Sequence, residues 1–307
     1  MKCSNNLLDK LDTYPLRGIC MLMIIFHHSY NWGFTDLGGR LLVNKLYSVS
    51  HWGYLATGVF FFLSGFGLYY SITKKGLQRD WLIKHMKKMF KPFIFLWVFY
   101  VVCFILYNPK MLEWNLLTEL ITLRSPGRDT WFFRVIVGAY ITTFIIFRYI
   151  KSEKICLAVL GIVVSIYVII MAKYSTGPWW YNSIFNFPIG MLCAYYYKYI
   201  DNVPDYFVIF LSPACYLLFY RYLKIDILES LSFTFIVVWL VKYIDIRSRY
   251  LHFVGVESLS FYFLESPIKQ FICKPYFDNY WLFTISSIVV TSAIVLLYRF
   301  ISSRVRI

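Results

Sequence analysis

Charge is scarce in this chain of 307 residues. Only 15% of them are charged, where about 25% is usual in a soluble domain. Acidic residues are the scarcer sign, with 16 Asp plus Glu against 31 Lys plus Arg. The seven cysteines form no CxxC pair, and no His cluster stands at metal-ligand spacing. That excludes a disulfide framework and a zinc module, and no metal site is expected. Cys20, Cys103, Cys156, Cys193 and Cys215 sit inside apolar runs and read as small buried hydrophobes. Repeats, low-complexity tracts and a long polar domain are also missing. The first apolar stretch lacks a small-x-small site, so no cleavable leader is expected. What the chain has instead is apolar surface. Its hydrophobic content is 59%, against roughly 45–50% for soluble domains. A soluble globule of this composition would leave its apolar surplus facing water. Soluble and disordered classes are both excluded.

A membrane-crossing helix needs about 20 mainly apolar residues. Ten such runs start near Tyr14, His51, Pro92, Trp131, Ile155, Trp180, Tyr206, Ile227, Leu251 and Tyr280. The runs near Tyr206 and Ile227 are separated so briefly that they form a tight hairpin or a re-entrant pair. The net charge of +15 would point to nucleic acid in a soluble protein. Its placement decides otherwise. With the N-terminus inside, most of the basic residues fall on inner loops: Lys2, Lys10 and Arg17, the stretch Lys74–Lys91, then Arg148, Lys151, Lys154, Lys198, Lys242, Arg247, Arg249, Arg299, Arg304 and Arg306. This is the bias of a multi-pass protein with both termini cytoplasmic. The expectation is an all-α polytopic integral membrane protein with about ten transmembrane helices. Residues 1–307 form a single transmembrane domain, with a core of about 10–300. Membrane lipids are its surroundings and no nucleic-acid partner is expected. Trp and Tyr near run ends, including Trp131, Trp179 and Trp180, read as interfacial anchors.

Ionisable side chains deep in such runs are costly and therefore candidates for function. They are Arg17, His27 and His28 in the first run, Arg134 in the fourth, and Glu257 and Glu265 in the ninth. Arg17 and His28 lie eleven residues apart. At about 100° and 1.5 Å per residue they share one helix face, about 16 Å apart along the axis. His27 is turned about 100° away and is expected to face another surface. Glu265 follows Leu251 by 14 residues, as His28 follows Tyr14. Both runs travel outward, so the two side chains sit at matched depth, about 21 Å from the inner end. A carboxylate beside an imidazole orients the ring, which suits a general base acting on a hydroxyl. A purely structural pair linking two helices is the plain alternative. Lys84, Lys87, Lys88 and Lys91 form a cationic helix face before Pro92. Topology and anionic lipid suffice to explain that face; with Arg17 it would also make a phosphate-binding rim.

Several segments together resemble the acyltransferase 3 family of integral membrane acyltransferases. Tyr14-Pro15-Leu16-Arg17-Gly18-Ile19 through His28 is similar to its first-helix signature. Phe60-Phe61-Phe62-Leu63-Ser64-Gly65-Phe66 resembles its second-helix segment. Thr130-Trp131-Phe132-Phe133, Phe187-Pro188-Ile189-Gly190-Met191 and Gly255 to Ile268 follow in family order. The resemblance implies a ten-helix acyltransferase of the cell membrane. It would take an acyl group from cytoplasmic acyl-CoA, acetyl-CoA by base rate, and pass it to a hydroxyl of a cell-surface or lipid-linked glycan. No permanently bound cofactor is implied. Carried over by position, His28 would be the catalytic base with Glu265 beside it, and Arg17 would hold the donor. Lys84, Lys87 and Lys88 would stand near the donor, although Lys84-x-x-Lys87 replaces an Arg-x-x-Arg element and lacks its bidentate fork. Direct transfer and an acyl-histidine intermediate both remain open. The rival class is a transporter or flippase that uses the same ions as a proton relay, although the two halves show no convincing internal symmetry.

Overall fold

The computed structural model describes residues 10–33, 49, 51–78, 80–107, 116–124, 130–200, 202–274, 276 and 279–304. Among them every regular element is helical. The order is α1 (Lys10–Gly33), α2 (Trp52–Lys75), α3 (Trp81–Tyr107), α4 (Leu116–Ile121), α5 (Trp131–Tyr149), α6 (Glu153–Tyr174), α7 (Asn186–Tyr195) and α8 (Tyr197–Ile200). There follow α9 (Asp205–Leu217), α10 (Asp226–Leu240), α11 (Arg249–Val256), α12 (Ser258–Pro267) and α13 (Tyr280–Arg304). Each of the ten apolar runs falls on helical structure, in order. Among the described residues five helices are long and apolar enough to cross a membrane: α2, α5, α6, α13, and α9 with its continuation to Leu223.

Burial sorts these helices into centre and rim. In α2 the most apolar window is 72% buried, whereas in α9 it is 0% buried. The α6 helix exposes Ile162, Ile166 and Ile169. A helix apolar all round yet open on its outer side matches a lipid-facing position. The α2 helix reaches the centre because glycines let backbones touch. Gly65 of α2 meets the Phe187 backbone, and Gly190 of α7 meets the Phe62 backbone. The α1–α11 crossing uses the same device, with Gly18 on the Leu251 backbone and Gly255 on that of Tyr14. Small residues at crossings allow this approach where hydrophobicity alone supplies no drive between helices. Aromatic pairs tie α3, α5 and α12 together: Phe93 and Phe133 stack with centroids 4.9 Å apart, and Phe133 and Phe263 meet edge to face at 5.1 Å. Each such pair adds about 0.5–1.5 kcal/mol beyond its buried area.

Two prolines reshape their helices. Pro213 precedes a widened π-type turn at Leu218–Leu223, which ends at Lys224 in the left-handed region (φ 51°). That turn lets α9 and α10 pack as the tight hairpin. Pro267 likewise precedes a π-type turn at Ile268–Cys273. Its ring removes one N–H from the helical ladder and crowds the carbonyl four residues earlier, so the turn widens. The run expected from Leu251 as one span is broken at Glu257, between α11 and α12.

Candidate functional site

The centre of the site is a chain of charged groups that joins α12 to α1. His28 Nδ1 is hydrogen-bonded to Glu265 Oε1. The other carboxylate oxygen, Oε2, accepts from Lys269 Nζ at 2.7 Å. Lys269 also donates to the Ile25 carbonyl at 2.7 Å. Glu265 is 0% exposed and Lys269 3% exposed. Isolated charges at such depth would cost several kcal/mol each, but the pair offsets most of that cost through mutual attraction and full hydrogen bonding. Helix geometry makes the pair possible, since residues four apart share a face. The matched depth of His28 and Glu265 in their runs becomes a direct bond here.

The Lys269 bond suits an ionised Glu265, and with it one tautomer of a neutral His28. An ionised carboxylate only accepts hydrogen bonds, so His28 must donate through Nδ1–H. Its Nε2 then carries the lone pair, on the ring edge turned away from Glu265. That ring lines a cavity of about 670 Å³, which Arg17, Met21 and Ile24 also line along α1. This volume lies in the usual range for small-molecule sites, about 300–1,000 Å³. Arg17 stands at one end with Ser64 of α2 and Tyr140 of α5. Its Nε is buried and has no hydrogen-bond partner. Eleven helical residues place Arg17 about 16 Å from His28 along the helix axis.

Other expected positions resolve differently. His27 lines the same cavity rather than another surface. The correction follows from α2, whose Gly53 leaves room for the His27 ring. There His27 Nδ1 lies 3.3 Å from the Val49 carbonyl oxygen, so the cavity wraps far enough round α1 to meet both histidines. Glu257 accepts a 3.2 Å hydrogen bond from Ser260 at the α11–α12 break. Arg134 stacks over the Trp180 ring at 4.6 Å. Trp131 and Trp179 line the cavity in addition to standing near run ends. Lys84, Lys87 and Lys88 are exposed on the first turns of α3. Lys84 pairs with Asp80 at 2.5 Å, and Lys87 edges a shallow groove with Met86 and Phe90. None of the three lines the main cavity, although their neighbour Met89 does.

Lys269 is the site residue that the sequence pattern left unassigned among the basic residues outside the inner loops. A signal was present, since Glu265 and Lys269 stand at i,i+4 in an otherwise apolar stretch. Asp226, in the short link between the runs near Tyr206 and Ile227, lines the cavity too. Among the described residues no group of three or more His, Cys, Asp or Glu is placed to hold a metal ion. Six cysteines are free there, and five of them are buried.

These features define a helical membrane protein whose paired histidine faces an internal cavity. The chain belongs to the acyltransferase 3 family: the family model, described as an acyltransferase domain, matches residues 16–300. No curated relative and no solved structure matches it. The family is one of membrane acyltransferases, which agrees with the apolar helices.

Proposed function

We propose that this protein is an acyl-CoA-dependent O-acyltransferase of the cell membrane, in the first instance an O-acetyltransferase. It crosses the membrane ten times with both termini cytoplasmic. It passes the acyl group to a hydroxyl of a cell-surface or lipid-linked glycan. Support for the topology comes from helical structure under each apolar run, with five helices long and apolar enough to cross a membrane among the described residues, and from basic residues concentrated on one set of loops. Support for the chemistry comes chiefly from one observation: within this family's domain, His28 is held by Glu265, itself bonded to Lys269, at the wall of a cavity that Arg17 also lines.

In the proposed reaction His28 Nε2 takes the proton of the acceptor hydroxyl. The oxygen attacks the thioester carbonyl, the new C–O bond forms and the C–S bond breaks. The CoA thiolate then takes the proton from the imidazolium, so His28 returns to its starting form. Glu265 stabilises the transient imidazolium, and Lys269 fixes the carboxylate in place. Arg17 pairs with a donor phosphate, which its partnerless buried Nε favours. The Arg17–His28 gap of about 16 Å is comparable to an extended pantetheine arm.

Purified protein in nanodiscs tests this. Acetyl-CoA should raise its Tm, and Arg17→Ala should abolish the rise. Proton flux driven by a sugar substrate without any response to acetyl-CoA would instead support the transporter reading.

A further inference from the structure

The cavity continues past His28 to an end with no part in donor binding. There α2 starts with Tyr54 near its head, α5 starts at Trp131 and α10 starts at Asp226, while the segment between α6 and α7 supplies Trp179 and Asn182. The cavity is polarised. Among the described residues that line it, Arg17 is the one Lys or Arg and Asp226 the one Asp or Glu. One turn along α10 behind Asp226, Glu229 is buried beside the hydroxyls of Tyr54 and Tyr216. Arg134 nearby is engaged with the Trp180 ring.

Asn182 supplies a second, independent observation. It is 3% exposed, lines the cavity, and its Oδ1 has no hydrogen-bond partner. A buried amide oxygen left unmatched is costly unless a ligand donates to it. Carboxylate and amide oxygens are acceptors suited to the O–H groups of a polyol. An indole offers a flat apolar face to the C–H side of a sugar ring. A carboxylate on the ligand would meet Asp226, the acidic residue among the described lining, as like charge.

We propose that this end of the cavity is an acceptor subsite for an uncharged, polyhydroxylated ring, held by Asp226 and Asn182 against Trp179, and that it rejects acidic sugars. The subsite rests on the transfer reaction above, with donor and acceptor entering from opposite ends and meeting at His28.

The test uses the full chain in nanodiscs of neutral lipid, with acetyl-CoA and two probes: methyl glucoside and the corresponding methyl glucuronide. Acetyl ester formation is read by mass spectrometry, and acetyl-CoA binding by the Tm shift. The native protein should esterify the glucoside in preference to the glucuronide. Asp226→Asn should narrow that preference by about tenfold, a change of like-charge repulsion on the ordinary scale. Asn182→Ala should raise the half-saturating glucoside concentration by about tenfold. Both variants should keep the native acetyl-CoA shift, which shows that they are folded and loaded. An intact shift with equal use of both sugars, with no ester from either, or with a preference unchanged by Asp226→Asn would overturn the subsite alone. Absence of the shift in the native protein would overturn the transfer reaction and the subsite with it.

Discussion

Two acid–lysine pairs at i,i+4 stand among the described residues in opposite surroundings. Asp80 and Lys84 pair at i,i+4 on the first turn of α3 at 2.5 Å, with side chains 50% and 63% exposed. Glu265 and Lys269 pair at the same spacing at 2.7 Å, with side chains 1% and 3% exposed. Sequence spacing alone does not distinguish them. Solvent does, because water and salt screen the first pair and leave the second to be satisfied only by protein. The lesson is that an acid–lysine pair becomes a device for holding a third group only where water is excluded. His28 is that group at Glu265, whereas Asp80, half exposed, pairs with Lys84 in water.

Three perturbations sharpen the contrast, in falling order of effect. Removing one partner of the buried pair, by Lys269→Met or Glu265→Gln, should cost about 3–5 kcal/mol of stability because an unmatched buried group remains. The double variant should recover much of that loss, as thermal denaturation in nanodiscs would record. Gly255→Ala should cost about 1–3 kcal/mol. A new Cβ there meets the Tyr14 backbone and pushes α11 from α1, so a shifted His28 signal in NMR spectra should accompany the lower Tm. Asp80→Asn should leave the Tm unchanged within error. The Lys84 hydrogen bond holds the Asp80 carboxyl below its ordinary range. The sign follows: any stabilisation is present above the unfolded carboxylate pKa of about 3.9 and is lost as pH falls through the lower folded value. A clear loss of stability in Asp80→Asn at neutral pH would erase the distinction between the two pairs.

The same contrast explains what could be read before the fold was known. The all-helical membrane class was legible because each spanning helix must carry its own apolar surface through lipid, and five helices among the described residues are long and apolar enough to do so. The His28–Glu265 pairing was legible because both runs travel the same way and depth can be counted along them. Lys269 was obscured because an i,i+4 pair looks alike inside and outside a membrane. The orientation of His27 depends on Gly53 of α2, so the face of α1 alone could not supply it. Lys84, Lys87 and Lys88 share a helix face, but only packing shows that it points away from the cavity. The wide turn after Pro267 belongs to the same class: a proline is visible in a sequence, and the way its neighbours absorb it is not.

The most direct measurement is acetyl transfer by His28→Ala in nanodiscs, with acetyl-CoA binding followed in the same sample. The account predicts a native acetyl-CoA Tm shift together with a loss of transfer of about 10²–10⁴-fold, the usual contribution of a positioned general base. Full transfer activity in that variant would contradict it.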